Sequence, residues 1–134
     1  MARLDERLGD AQAAFATLEE LVDRDTLSTA ERDGAILRLV YTFEAVWKAA
    51  ALVLDEKEGI VVGSPKGAIR ASRRARLLSD ADTEEAGRIA DDRNLTVHMY
   101  KQDLGDAIAE RLAGHAAVLR RWLDALQRRA ADGT

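Results

Sequence analysis

The chain has 134 residues, of which 47% are hydrophobic, 33% charged and only 4% aromatic, with a single proline and no cysteine. That length suits one domain with one core, residues 1–134, and the lack of cysteine excludes disulfides and thiolate metal sites. A net charge of −4 argues against a protein that coats nucleic acid nonspecifically, because phosphate neutralisation calls for a basic surplus. The abundance of Ala, Leu, Arg, Glu and Asp favours helix and predicts an all-α protein. The start, Met1-Ala2-Arg3-Leu4-Asp5-Glu6-Arg7, is charged, and no apolar run approaches the roughly 20 residues needed to cross a bilayer. Neither export nor membrane insertion is expected, and the expected location is cytoplasmic.

A first helix is expected from Leu4 to about Val22, where Leu4, Leu8, Ala11, Phe15, Leu18 and Leu21 or Val22 recur at spacings of three and four. Ser28-Thr29-Ala30-Glu31 then offers a capping box for a second helix. Its stripe is the strongest in the chain: Ile36, Leu39, Val40, Phe43, Val46, Trp47, Ala50, Val53 and Leu54. Glu58-Gly59 stops it, and Ile60-Val61-Val62-Gly63 reads as a short extended link. Ser64-Pro65 caps and opens a third helix, expected to run to about Leu78. A fourth rises after Ser79-Asp80-Ala81-Asp82, with Glu84 and Glu85 in its first turn and Ala86, Ile89, Ala90 and Arg93 as its buried row. A fifth begins near Asp103 and carries Leu104, Ile108, Leu112, His115, Leu119, Trp122 and Leu126, leaving 130–134 as a frayed tail. The expected architecture is an up-and-down four-helix bundle with one additional short helix, five helices in all.

Two basic clusters, Lys66/Arg70/Arg73/Arg74/Arg76 and Arg120/Arg121/Arg128/Arg129, read either as solvated helix faces or as phosphate tracks. Trp47 and Glu44 read as core packing and a buried or interfacial hydrogen bond, His115 as a satisfied packing residue, and Thr96 as a residue bonded to its own helix backbone. The two histidines stand far apart, no paired-carboxylate pattern exists, and Gly63-Ser64-Pro65-Lys66-Gly67 lacks P-loop spacing, so neither a metal nor a cofactor is expected.

Chemistry concentrates in Asp92-Arg93-Asn94-Leu95-Thr96-Val97-His98-Met99-Tyr100. A permanently charged guanidinium, an imidazole that exchanges protons near neutral pH and a phenol stand within eight residues. On one unbroken helix Arg93 and His98, five apart, point about 140° away from each other. Either the helix deforms after Arg93, or two copies meet across a two-fold axis so that both residues enter one cleft, which would make the protein a homodimer. Two arginines and two histidines in one cleft suit a phosphodiester: guanidinium charge for a pentacovalent transition state, imidazole for proton transfer, and RNA as substrate because its 2′-hydroxyl attacks the adjacent phosphate.

Arg93 to Tyr100 also resembles the Arg-x4-His-x-Tyr signature of the HEPN superfamily, specifically its HepT-like group, also called nucleotidyltransferase substrate-binding proteins. Arg32-Asp33-Gly34-Ala35-Ile36, Phe43-Glu44-Ala45-Val46-Trp47-Lys48, Gly63-Ser64-Pro65-Lys66 and Ala68-Ile69-Arg70 resemble segments of that group in the same order, so the resemblance covers nearly the whole chain. It implies a HEPN-like bundle that dimerises through the motif helices. It further implies the toxin of a HEPN–MNT toxin–antitoxin pair, a metal-independent endoribonuclease acting on RNA, with tRNA among the candidates. The implied antitoxin is a cognate MNT-type nucleotidyltransferase. Carried over by position, Arg93 and His98 are the catalytic pair, Asn94 positions phosphate or imidazole, and Tyr100 is the tyrosine that such a partner adenylylates. Met99, where a small polar residue is frequent, and Lys101-Gln102, in place of a more acidic stretch, depart from the pattern. The alternative is a noncatalytic substrate-binding subunit of a two-component nucleotidyltransferase.

Overall fold

The computed structural model describes residues 2–132. Among them every regular element is helical: α1 Ala2–Val22, α2 Thr29–Glu58, α3 Pro65–Arg74, α4 Asp80–Leu95, a 3-10 turn at Thr96–His98, α5 Gln102–Glu110 and α6 Leu112–Ala131. The all-helical bundle is therefore as expected, with six α-helices in place of five. None of them is long and apolar enough to cross a membrane.

The helix starts follow their caps. Ser28 and Glu31 close a reciprocal capping box at 3.1 and 2.9 Å, and the two hydrogen bonds to Ser28 hold the Glu31 carboxyl below its ordinary value. Ser64 accepts from Gly67 N–H at 3.0 Å ahead of Pro65, and Ser79 accepts from Asp82 N–H at 3.1 Å. That last bond starts α4 at Asp80, a turn earlier than its acidic residues at 84 and 85 suggest. The left-handed Gly59 (φ 68°) ends α2, a conformation that costs a residue without Cβ little.

Helix α3 stops at Arg74, short of the expected Leu78. Leu77 N–H turns back to Ser72 C=O at 2.7 Å, which requires Arg76 to adopt φ 64°. Leu77 and Leu78 are buried all the same, because the turn points both side chains into the core. The expected fifth helix is divided at Arg111, whose N–H bonds Ile108 C=O at 3.0 Å in a tightened turn before α6 resumes. Of the expected tail, Ala130 and Ala131 belong to α6, and residues 133–134 lie outside the described residues.

Helix α2 is the axis and packs against each of the other five α-helices, most extensively against α1 and α6. Its expected stripe is fully buried at Ile36, Phe43, Val46, Ala50, Val53 and Leu54, while Val40 and Trp47 are half-buried. From α6, Trp122 is fully buried and donates its indole N–H to Ser72 Oγ at 3.1 Å, so the largest core side chain also leaves no orphaned donor.

Candidate functional site

The motif occupies the C-terminal end of α4 and the turn beyond it. Thr96 Oγ1 donates to Arg93 C=O at 2.7 Å, the backbone bond expected of it, and competition of this kind loosens a helix end. The chain then tightens into the 3-10 turn Thr96–His98, with Met99 N–H on Thr96 C=O at 3.2 Å and Lys101 N–H on His98 C=O at 3.0 Å. A 3-10 turn advances about 120° per residue instead of about 100°, so Arg93 and His98 end roughly 160° apart around the axis. The deformation does not bring them together in one copy.

Each of the two meets other partners. Arg93 is half-buried rather than buried, and one of its terminal nitrogens lies 2.9 Å from Glu44 Oε1 of α2. That approach is off the direction of a hydrogen bond, so Glu44 Oε1 is enclosed without a donor aimed at it. The other oxygen, Oε2, accepts from Trp47 Nε1 at 3.2 Å. His98 is exposed, with its ring edge-on to Tyr100 at 6.4 Å between centroids and 64° between planes. Asn94 is exposed as well, and Tyr100 is 79% exposed. Leu95 at the end of α4 and Val97 on the turn are exposed as well, as are Leu37 and Tyr41 of α2, the Tyr41 hydroxyl lying against Thr17 of α1.

The residue of α4 that takes the buried position is Asp92, 4% exposed, and not Arg93. It anchors a network that spacing alone did not reveal. Arg111 Nε and a terminal nitrogen donate to the two Asp92 oxygens at 2.8 and 2.7 Å. The fully buried His115 ring has Nε2 2.7 Å from Asp92 Oδ2 and Nδ1 2.7 Å from Glu85 Oε2. A carboxylate oxygen thus stands within hydrogen-bond reach of each ring nitrogen, and the buried imidazole has a polar partner at both edges. Burial by itself raises the Asp92 carboxyl, but the Arg111 and His115 bonds outweigh it and hold the group below the usual carboxylate range. Glu85 is held down in the same way, its burial outweighed by Arg88 and His115. The sequence places Glu85 and Asp92 with Ile89 on one stripe and Arg111 and His115 four apart, but does not say that these two faces meet. Because the two carboxylates face opposite edges of the ring, they do not converge on an ion, and among the described residues no group of His, Cys, Asp or Glu has the arrangement to hold a metal.

Arg32, in another of the segments singled out in the sequence, is 6% exposed and reaches from α2 to α5. It bonds Asp33 and Asp106, both at 2.8 Å, and lies close over Gly105. This fixes the start of α5, and with it the exit of the motif turn. The second basic cluster is mostly neutralised, Arg120 pairing with Glu19, Arg121 with Asp82 and Arg129 with Glu58, whereas in the first only Lys66, on Asp91, and Arg73, on Asp80, are paired among the described residues. For the second cluster that pairing favours the solvated-face reading over a phosphate track.

Several solved structures share this fold. A protein from Thermus thermophilus is 47% identical, with a TM-score of 0.86 over 88% of this chain and 99% of its own. HI0074 from Haemophilus influenzae, described as the substrate-binding domain of a nucleotidyltransferase, is 22% identical with a TM-score of 0.76 over 90% of this chain and 98% of its own. A chain of a mutant MntA-HpeT toxin–antitoxin complex is 14% identical with a TM-score of 0.77 over 96% and 99%. No curated protein matches the sequence. The model of the family "Nucleotidyltransferase substrate binding protein like" matches residues 6–128, motif and Asp92 network included, and the chain belongs to that family.

Proposed function

We propose that this chain is the toxin of a toxin–antitoxin pair: a homodimeric, metal-independent endoribonuclease with Arg93 and His98 as its catalytic residues, neutralised by an MNT-type nucleotidyltransferase. The observation that carries the reading is the divergence of these two residues within one copy, Arg93 toward Glu44 and His98 toward solvent. A two-fold axis at this end of the bundle would set Arg93 of one copy against His98 of the other. The exposed Leu37, Val97 and Tyr41 supply apolar surface for such a contact, and apolar area removed from water contributes about 25 cal/mol per Å².

In the shared cleft one His98 accepts the 2′-hydroxyl proton as that oxygen attacks the adjacent phosphorus, and the other protonates the departing 5′-oxygen. The O2′–P bond forms while the P–O5′ bond breaks, giving a 2′,3′-cyclic phosphate and a free 5′-hydroxyl. Arg93 stabilises the charge that gathers on the non-bridging oxygens. Its contact with Glu44 has charge but not hydrogen-bond direction, so the guanidinium can turn to a phosphate with little loss. Asn94 positions phosphate or imidazole. Tyr100, exposed beside His98, is open to adenylylation by the partner enzyme, which would place nucleotide phosphate across the cleft.

The test is incubation with total RNA and with tRNA in excess EDTA, after mass spectrometry has verified an unmodified Tyr100, beside Arg93→Ala and His98→Ala. Wild type alone is expected to cleave and to leave cyclic phosphate ends. No cleavage by unmodified wild type would favour a second reading, a noncatalytic subunit that presents substrate, or Tyr100 itself, to a nucleotidyltransferase. The family description and the open phenol support that reading, and co-purification with a nucleotidyltransferase would test it.

A further inference from the structure

Beyond Glu44 on the outer side of α2 lies a cleft of about 350 Å³, bordered by Arg3 and Arg7 of α1, Trp47 and Lys48 of α2, and Val61 and Val62 of the link that follows α2. Arg3 and Arg7, four apart, share one face of α1. Both are exposed, as is Lys48, and none of the three enters an ion pair among the described residues. Val61 is 85% exposed, an apolar side chain on the irregular link between α2 and α3. Trp47 is half-buried, and its indole nitrogen shares the Glu44 carboxylate with Arg93, at 3.2 and 2.9 Å. Cleft and motif are thus joined through a single side chain.

We infer that this cleft is a subsite for single-stranded RNA beside the motif, with a base against Trp47 and the Val61–Val62 link and the flanking phosphates on Arg3, Arg7 and Lys48. Stacking surface together with unpaired cations is the combination that single strands need, because every base has a π face and every linkage a charge. An acidic protein segment would use the cations but has no need of the aromatic edge. Asp55, which also borders the cleft, repels phosphate from its own side and accepts from an exocyclic amino group. The choice of RNA as the polymer rests on the ribonuclease reading above.

The probe is a short single-stranded oligonucleotide carrying 2′-O-methyl groups throughout, which binds without being cleaved. It is titrated into full-length protein while tryptophan fluorescence is followed; Trp122 is fully buried, so Trp47 reports. Wild type is expected to be quenched on binding, and Trp47→Phe to bind with the quench lost. Each cation on a single-stranded phosphate contributes about 0.7 to the slope of log affinity against log salt. Arg7→Gln combined with Lys48→Gln is therefore expected to lower that slope by about 1.4 and to weaken binding at low salt about tenfold or more. An unchanged slope and affinity would overturn the assignment, as would equal affinity for free AMP or for an acidic peptide of matched charge. Failure of the two readings is separable. Natural RNA cleaved in EDTA with an unaltered KM in the double variant removes the subsite alone, whereas quenching by the oligonucleotide without cleavage of natural RNA removes the ribonuclease alone.

Discussion

Replacing Asp92 by alanine separates what holds the motif helix from what the motif does. Asp92 is 4% exposed and accepts from Arg111 at 2.8 and 2.7 Å and from His115 at 2.7 Å. Removing one partner of a buried ion pair costs about 3–5 kcal/mol, because the charge left behind is buried without compensation. The Arg111 side chain is 38% exposed and recovers part of its hydration, while His115 at 0% recovers none, which places the expected loss at about 3 kcal/mol. With a urea dependence of about 2 kcal/mol per molar, the unfolding midpoint falls by about 1.5 M at unchanged slope. Asp92→Asn keeps the shape and one acceptor oxygen and is expected to lose about half as much. The neighbouring Arg93→Ala removes a pair whose side chains are 34% and 30% exposed, and solvent screening limits that loss to below about 1 kcal/mol. Urea unfolding followed by circular dichroism reads all three. A midpoint shift for Asp92→Ala no larger than that for Arg93→Ala would refute the argument that the network, and not the motif arginine, ties α4 to α6.

The same network sets the acid limb of stability. Asp92 and Glu85 are held below their ordinary values, so as pH falls the unfolded chain binds protons first, and the stabilisation present above about pH 4 is lost as pH drops through the lowered folded values; a midpoint that falls as steeply with acid in Asp92→Asn as in wild type would contradict this. Arg76→Gly should raise thermal stability, since Arg76 holds φ 64° and relief of a left-handed non-glycine residue gains about 1 kcal/mol; calorimetry is expected to show a rise of a few degrees, and a lower melting temperature would show that the arginine side chain holds the turn. Val97→Glu places a charge on a side chain that is 74% exposed in one copy, so on the dimer reading it is expected to leave a folded monomer in sedimentation equilibrium and to abolish cleavage, while an unchanged mass would move the two-fold contact elsewhere.

Where helices begin was legible in the sequence, because caps act over three residues: Ser28 with Glu31 and Ser64 with Pro65 open α2 and α3 as their spacing predicts. The main apolar stripe was equally legible, since Ile36, Phe43, Val46 and Val53 are buried by the helical period alone. The segments that mark the family, Arg93 to Tyr100 among them, are likewise a property of the linear sequence. The end of α3 was not, because Leu77 and Leu78 continue an apolar pattern through a turn that only Arg76, in its left-handed conformation, makes visible. Nor was the choice between Asp92 and Arg93 for the buried side of α4. Adjacent residues lie only about 100° apart on a helix, and which of them turns inward depends on the partner offered by the facing helix. For Asp92 that partner is Arg111, 19 residues away, together with His115, 23 away; for Arg93 it is Glu44 across the bundle. Periodicity and capping are short-range and repeat along the chain, so sequence determines them. Pairing between charges on different helices is set by how those helices cross, and tertiary packing alone decided it.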